Sequence, residues 1–543
     1  MILAILLALT SVDSLTSEFI ERWFTQYPSR ATQAGRSELD AKLEDFSTLP
    51  AWLAYLDTVD ERARQLKPAN RDDRLDLHAL RRAVAEERLK LRQRAQPGRN
   101  PGFWTGVVSE SVIYLLLRED QPHEHRVKAL DARARQVPRL CAQAKAALSK
   151  TKADQIAPEH LDPARKQALQ LGRLFSQNFA RFDPSLSDAG QVAGKALMDF
   201  AAFLDKLPAS GSARLGKDYD EVFRIGLDET ETPAQLLPRF EQDLVALRAE
   251  AALYGAEVWS QLVSSEPMPQ DEKARLRRLF AAIETDRDID VAVYTRRWQE
   301  SVLELAELVR KRQVITLPEP LTLKISPAPA YLAGQAYGGV FPAGPYHPDG
   351  DTLLLLPVPP DTATLAQKAE FFAAFNRPFS KMIAAHEALP GHYVQLKIAA
   401  HQAHPIRTLF PDDVYEEGWG TFVEGLMLEQ GWGGPKERIA HLKKALENCA
   451  RAIADIRVHK ENATKEDIAK LVREDALLDP QLGANLWLRA LTSSPQIVTY
   501  HLGAARFRAL YDAARKTEGA RFSLRAFTDR LMSLGPVPIR EYE

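Results

Sequence analysis

The chain has 543 residues, more than one compact core holds, so two or three packed units are expected. Hydrophobic residues make up 45% and charged residues 27%, the ordinary balance of a globular protein in water. With 71 Lys and Arg against 73 Asp and Glu the formal net charge is −2, and no basic stripe interleaved with aromatics stands out, so a nucleic-acid partner is not expected.

The first nine residues, MILAILLAL, form an apolar run. It is long enough for the core of a short signal peptide and too short to span a bilayer. No Lys or Arg precedes it, no A-x-A cleavage site follows, and no cysteine sits nearby to take a lipid. Residues 1–13 read either as an export segment, leading to the periplasm or beyond, or as the apolar first helix of a cytoplasmic protein. Neither reading implies stable membrane insertion. From Ser14 to Gln313 the pattern is helical almost throughout. Leu75 to Leu91, Pro122 to Ser149 and Pro163 to Phe179 carry apolar residues at three- and four-residue spacing. Thr232-Pro233 reads as a helix start, with Thr232 as cap and a helix running to about Val263. Cys141 and Cys449, far apart and without CxxC spacing, read as small buried apolar residues, with a disulfide left open.

The texture changes between Thr316 and Pro360. Leu321 to Ile325 alternates, Tyr331 to Tyr346 is rich in glycine and proline, and Thr352 to Val358 is an apolar run, so two or three strands are expected. After Asp361 the helical pattern resumes. The expectation is a mainly α protein with one small β-sheet, divided into a helical lobe over 14–313 and a second region over 314–543.

The most unusual segment follows that sheet: His386-Glu-Ala-Leu-Pro-Gly-His392. His-Glu on a helix is half of the HExxH zinc-peptidase signature, in which two histidines one turn apart bind the metal and the glutamate works on its water. Here Pro390 stands where the second histidine belongs, and His392 comes six residues after His386. On a regular helix, at roughly 100° per residue, that places the two rings about 120° apart, a poor chelate. Pro390 cannot sit inside a regular helix. A kink, or a two-residue bulge at Pro390-Gly391, would bring His392 to the metal. The alternative is two unrelated polar residues beside a kink.

Downstream, Glu417 and Glu424 are seven apart and share one helix face, so the first can reach a metal while the second orients a histidine. The alternative, a solvated face, sits poorly with Gly418, Trp419, Gly420 and Phe422 between them. Asp455 and His459, four apart, could form a pair directed at an oxyanion, and Tyr500 offers a hydroxyl to the same oxygen. Each of these three has a purely structural alternative.

The blocks HEALPGHYVQL, EGWGTFVE, Asp455-x-x-x-His459 and PQIVTYHLG resemble, in that order, those of the bacterial domain of unknown function 885, a family regarded as related to gluzincin metallopeptidases. The likeness is clear from about Tyr331 to Gly503. It implies a two-lobed helical protein whose small sheet edges a deep cleft. It implies His386, His392 and Glu417 as ligands of one zinc per chain, Glu387 as general base, and His459 and Tyr500 as transition-state stabilisers. It marks the strand region near Gly338 and Gly339 as a substrate-lining edge. Two departures stand out: Tyr393 occupies a position where relatives often carry a second histidine, and Ile456-Arg457 replaces a Thr-Gly. The expected function is a zinc-dependent metallopeptidase acting on short peptides. A hydrolase of another amide or ester, an inactive helical binding protein and a structural scaffold remain as rivals, and no oligomeric state is assigned.

Overall fold

The computed structural model describes residues 11–263, 265–329, 338–360 and 362–543. The apolar run at 1–10 and the glycine-containing stretch 330–337 lie outside the described residues. The chain is mainly helical, 73% helix and 2% strand, with one three-stranded sheet. Among the described residues no helix is long and apolar enough to cross a membrane. Both cysteines are free and buried.

Contacts divide the chain into two compact units. The first comprises residues 1–215 together with 343–351 and 400–410. Its helices His123–Ser149, Pro158–Arg173 and Ser187–Leu204 pack side by side. The returning segment 400–410 is tied in by Arg407, which is buried and bonds Asp76 at 2.6 Å and Asp72 at 2.9 Å.

The second unit holds everything else and carries the motif blocks. Its helices relevant here are α1 (Pro233–Leu262), α2 (Val291–Arg312), α3 (Leu365–Ala374), α4 (Arg377–Glu387), α5 (His392–Ala400), α6 (Asp413–Glu429), α7 (Pro435–Lys460), α8 (Pro480–Ser493) and α9 (Thr499–Glu518). Thr232 caps α1 in a capping box, with Pro233 in the first turn, as the sequence predicts. The division falls at residue 215, not near 313 where the texture changes. The reason is that α1 packs along α7, where the Cys449 thiol meets the Phe240 carbonyl at 3.2 Å and Arg457 pairs with Glu241. Helical periodicity is alike on both sides of residue 215 and so carries no mark of the break.

The sheet consists of β1 (Leu323–Pro327), β2 (Gly339–Phe341) and β3 (Thr352–Leu356), in the order β1-β3-β2. β3 runs parallel to β1 and antiparallel to β2, and all five of its residues are buried, which explains its unbroken apolar run. α6 and α9 cross at two glycines. A Cβ on Gly418 would stand 2.5 Å from the Cα of Gly503, so the backbones meet with no side chain between them.

Candidate metal centre

α4 begins at Asn376, whose side chain accepts from the Phe379 amide at 3.0 Å, and stops at Glu387. Ala388 leaves the helical region (φ −109°, ψ −92°), and a new helix, α5, starts at His392. The sequence admits a kink or a two-residue bulge; the structure has a full break between two helices. Gly391 makes this turn possible, because a Cβ there would fall 1.9 Å from the His386 carbonyl oxygen and 2.3 Å from that of Ala385. Pro390 ends the hydrogen-bond ladder, and its carbonyl accepts from the indole of buried Trp419 at 2.9 Å.

The break brings the two imidazoles face to edge, with ring centroids 4.6 Å apart and planes at 89°. Glu417, from α6, reaches between them. Its Oε2 lies 3.8 Å from His386 Nε2 and 3.6 Å from His392 Nε2. α6 approaches closely enough because Gly420 is bare: a Cβ there would sit 2.8 Å from the His386 ring. The other ring nitrogens are taken. His386 Nδ1 meets Glu424 Oε1 at 2.9 Å, and His392 Nδ1 meets Gln395 Oε1 at 3.4 Å. Glu424 in turn meets His441 Nδ1 at 3.3 Å. Both Nε2 atoms therefore turn toward the Glu417 carboxylate, and one ligand atom from each of the three residues lies within 4.8 Å of the others.

These residues fit a zinc ion. Bonds of about 2.0–2.1 Å in tetrahedral array put ligand atoms roughly 3.3–3.5 Å apart, close to the separations seen here. The donor set of two imidazoles and one carboxylate is one that zinc favours, and the Glu424–His386 bond is the outer partner such a histidine usually has.

Buried charges in the site are set by their partners. Burial pushes the Glu424 carboxyl up, but hydrogen bonds from His386 and His441 outweigh it and hold the group at about 2. Burial opposes charge on His392, yet Glu417 beside it raises the imidazole to about 9. At Glu416, burial and the neighbouring Asp413 charge outweigh the relief from His392 and push it up to about 8.

His386, Glu387, His392 and Glu417 all line one cavity of about 1080 Å³ within the second unit. Phe371, Phe375, Phe379 and Trp298 give it an aromatic wall, and Gly338 and Gly339 border it beside the edge strand β2. Tyr500, at the start of α9, also lines it; its hydroxyl is 3.3 Å from Glu417 Oε1 and accepts from Gln496 Nε2 at 3.0 Å. Gln496 Nε2 also donates to Glu417 Oε1 at 3.2 Å.

Asp455 and His459 are not among the residues lining the cavity. Asp455 is fully buried and accepts from Tyr219 at 2.7 Å and Ser494 at 3.0 Å. His459 stacks on Tyr219 and its Nε2 meets the Ala490 carbonyl at 2.8 Å. Tyr393, at the position of the missing second histidine, is buried; its hydroxyl accepts from the Thr322 amide at 2.7 Å. Sequence reasoning missed Gln395, His441 and Gln496 as supports of the ligands. Of these, Gln395 and Gln496 stand inside motif blocks, and that was the available signal.

The model of the family described as "Bacterial protein of unknown function (DUF885)" matches residues 28–542. The chain belongs to the DUF885 family. Curated proteins give no match. Two solved structures share the fold of this DUF885 chain over nearly its whole length. One is described as a "putative lipoprotein of unknown function" from Shewanella oneidensis: TM-score 0.79, 21% identity, 98% of this chain and 99% of that chain covered. The other is described as a "putative lipoprotein" from Colwellia psychrerythraea: TM-score 0.80, 16% identity, 98% of each chain covered.

Proposed function

We propose that this DUF885 protein is a zinc-dependent hydrolase of the gluzincin type, a metallopeptidase acting on short peptides. The observation that carries this reading is the convergence of His386, His392 and Glu417 on one point, with Glu387 in the same cavity. Were zinc held by these three side chains, the chemistry supplied would be Lewis acidity, which can lower the pKa of water from roughly 16 toward about 7. The chain's own groups do the rest. Glu387 takes a proton from the attacking water and hands it to the leaving amine. Tyr500 donates its hydroxyl hydrogen to the carbonyl oxygen as charge builds there, a contribution of about 2.7–4 kcal/mol for a well-placed donor. Glu424 and Gln395 hold the two imidazoles in the orientation that presents Nε2. The β2 edge beside Gly338 and Gly339 offers backbone groups for an extended substrate.

We also propose that the protein works outside the cytoplasm, in keeping with the apolar run at residues 1–9 and with the descriptions of the two structural relatives. Elemental analysis tests the metal reading. About one zinc per wild-type chain after dialysis against zinc, lost in His392→Ala, is the expected result. No bound metal in either protein would sink it.

A further inference from the structure

The cavity lining includes cations that the proposed chemistry does not use. Lys444 and Arg451 on α7 and Arg489 on α8 all line it. Lys444, Glu447 and Arg451 are three and four residues apart, so α7 presents them on one face. Glu447 pairs with both cations, with Lys444 at 3.3 Å and with Arg451 in an i, i+4 ion pair. Arg489 has no carboxylate partner among the described residues, only a 3.5 Å contact from Nη2 to Gln496 Oε1. Two of the three cations thus share one carboxylate, and the third has none among the described residues. Burial and the nearby Arg451 charge hold the Lys444 ammonium below its usual pKa despite Glu447 and Glu424.

This cationic wall touches the metal centre through two side chains. The Arg451 guanidinium lies over the Tyr500 ring, 5.4 Å from its centroid, and Tyr500 reaches Glu417. Arg489 meets Gln496, which also reaches Glu417. Each guanidinium is therefore one side chain removed from a candidate metal ligand. At about 3.3–3.6 Å of extended chain per residue, that gap suits one or two residues of peptide. A forked guanidinium that lines a cavity and lacks a carboxylate partner is a ready receiver of a carboxylate.

We infer that Arg489 and Arg451, with Lys444 behind them, receive the free α-carboxylate of a peptide whose scissile bond lies one or two residues upstream, which makes the enzyme a carboxypeptidase. This deepens the hydrolase reading and rests on it for the cleavage step. Recognition of the carboxylate by the wall needs no metal and can be measured apart from it.

The test is a binding titration on chelator-treated full-length protein, read by tryptophan fluorescence (Trp298 lines the cavity). The probes are N-acetyl-Phe-Leu, its C-terminal amide, and the amidated peptide N-acetyl-Phe-Glu-amide. The free acid is expected to bind at least about tenfold tighter than either amide, and Arg489→Gln to bring that ratio close to one. Arg489→Lys, which keeps the charge and loses the fork, should leave a smaller preference and guards against a folding defect in the first variant. Equal binding of acid and amide overturns the inference. Binding of the glutamyl amide as tightly as the free acid also overturns it, by assigning the wall to an acidic side chain. If the free acid is preferred but no peptide is hydrolysed with zinc restored, carboxylate recognition by the wall stands, while the hydrolase reading and with it the carboxypeptidase assignment fall. With hydrolysis present, release of single residues or dipeptides from the carboxyl end supports it, and release from the amino end overturns it.

Discussion

Glu424 and Asp455 are both helix carboxyls with almost no exposure, 1% and 0%, yet their acidities are shifted in opposite directions. Glu424 faces two imidazoles and is kept ionised, at about 2. Asp455 faces two hydroxyls, Tyr219 and Ser494, and burial pushes it up to about 7. Its Oδ1 is buried with no hydrogen-bond partner among the described residues. Burial raises a carboxyl; hydroxyl donors offset part of that rise at Asp455, while at Glu424 partners that can carry positive charge more than reverse it. The first carboxyl orients a candidate ligand, whereas the second is a polar group enclosed in the packing of α7.

The widest separation between these roles is expected with a third carboxyl, Glu387, which lines the cavity itself. Glu387→Gln should lower peptide hydrolysis by about 10²–10⁴-fold while zinc content stays at the wild-type level. Loss of zinc along with activity would show that Glu387 serves the metal and not the proton. Next comes Glu424→Gln, which removes the charge behind His386. Competition with a chelating dye should show zinc affinity weakened by about 10–100-fold, and Asp455→Asn measured beside it should show none of that loss. An equal loss in both variants would erase the contrast between the two carboxyls.

A smaller effect, in stability, belongs to Asp455. Its folded pKa lies above the unfolded value of about 3.9, so between about pH 4 and 7 the native state binds the extra proton. Stability from this group is therefore full below about pH 4 and falls as pH rises through 7, by an amount on the order of a few kcal/mol at most. Asp455→Asn cannot ionise. The Tm of the variant relative to wild type should climb between pH 5 and pH 8, as followed by circular dichroism. A constant difference across that range would mean that Asp455 is already charged at pH 5. The smallest expected change is Tyr219→Phe, which removes one donor to Asp455 and should cost about 1 kcal/mol, seen as a shift in denaturant midpoint with no change in zinc content.

Much of this was legible in the sequence, for reasons that can be named. Thr232-Pro233 announces a helix start by local chemistry alone, and the run at Thr352 to Leu356 reads as a buried strand because β3 is covered throughout. Pro390-Gly391 points to a kink or bulge, which the structure extends to a full break, and Gly418, Trp419 and Gly420 point to a packed helix bearing Glu417. What stayed hidden depends on which face of a helix meets which neighbour. Asp455 and His459 share a face by spacing, but that face meets Tyr219 and the Ala490 carbonyl instead of the cavity. The wall of Lys444, Arg451 and Arg489 comes from two helices separated in sequence, and no local pattern joins them. The return of residues 343–351 and 400–410 to the first unit is likewise a matter of long-range contact.

The crossing of α6 and α9 at Gly418 and Gly503 has a mechanical side. Where two helices touch through side chains, rotamer changes can let one slide against the other. Here backbone rests on backbone, and no such cushion exists. Glu417 stands one residue before that contact on α6, and Tyr500 three residues before it on α9. The two therefore travel together as parts of one stiff joint. If the proposed function holds, the reach from the candidate ligand to the phenol would be a fixed ruler against which a substrate is gauged.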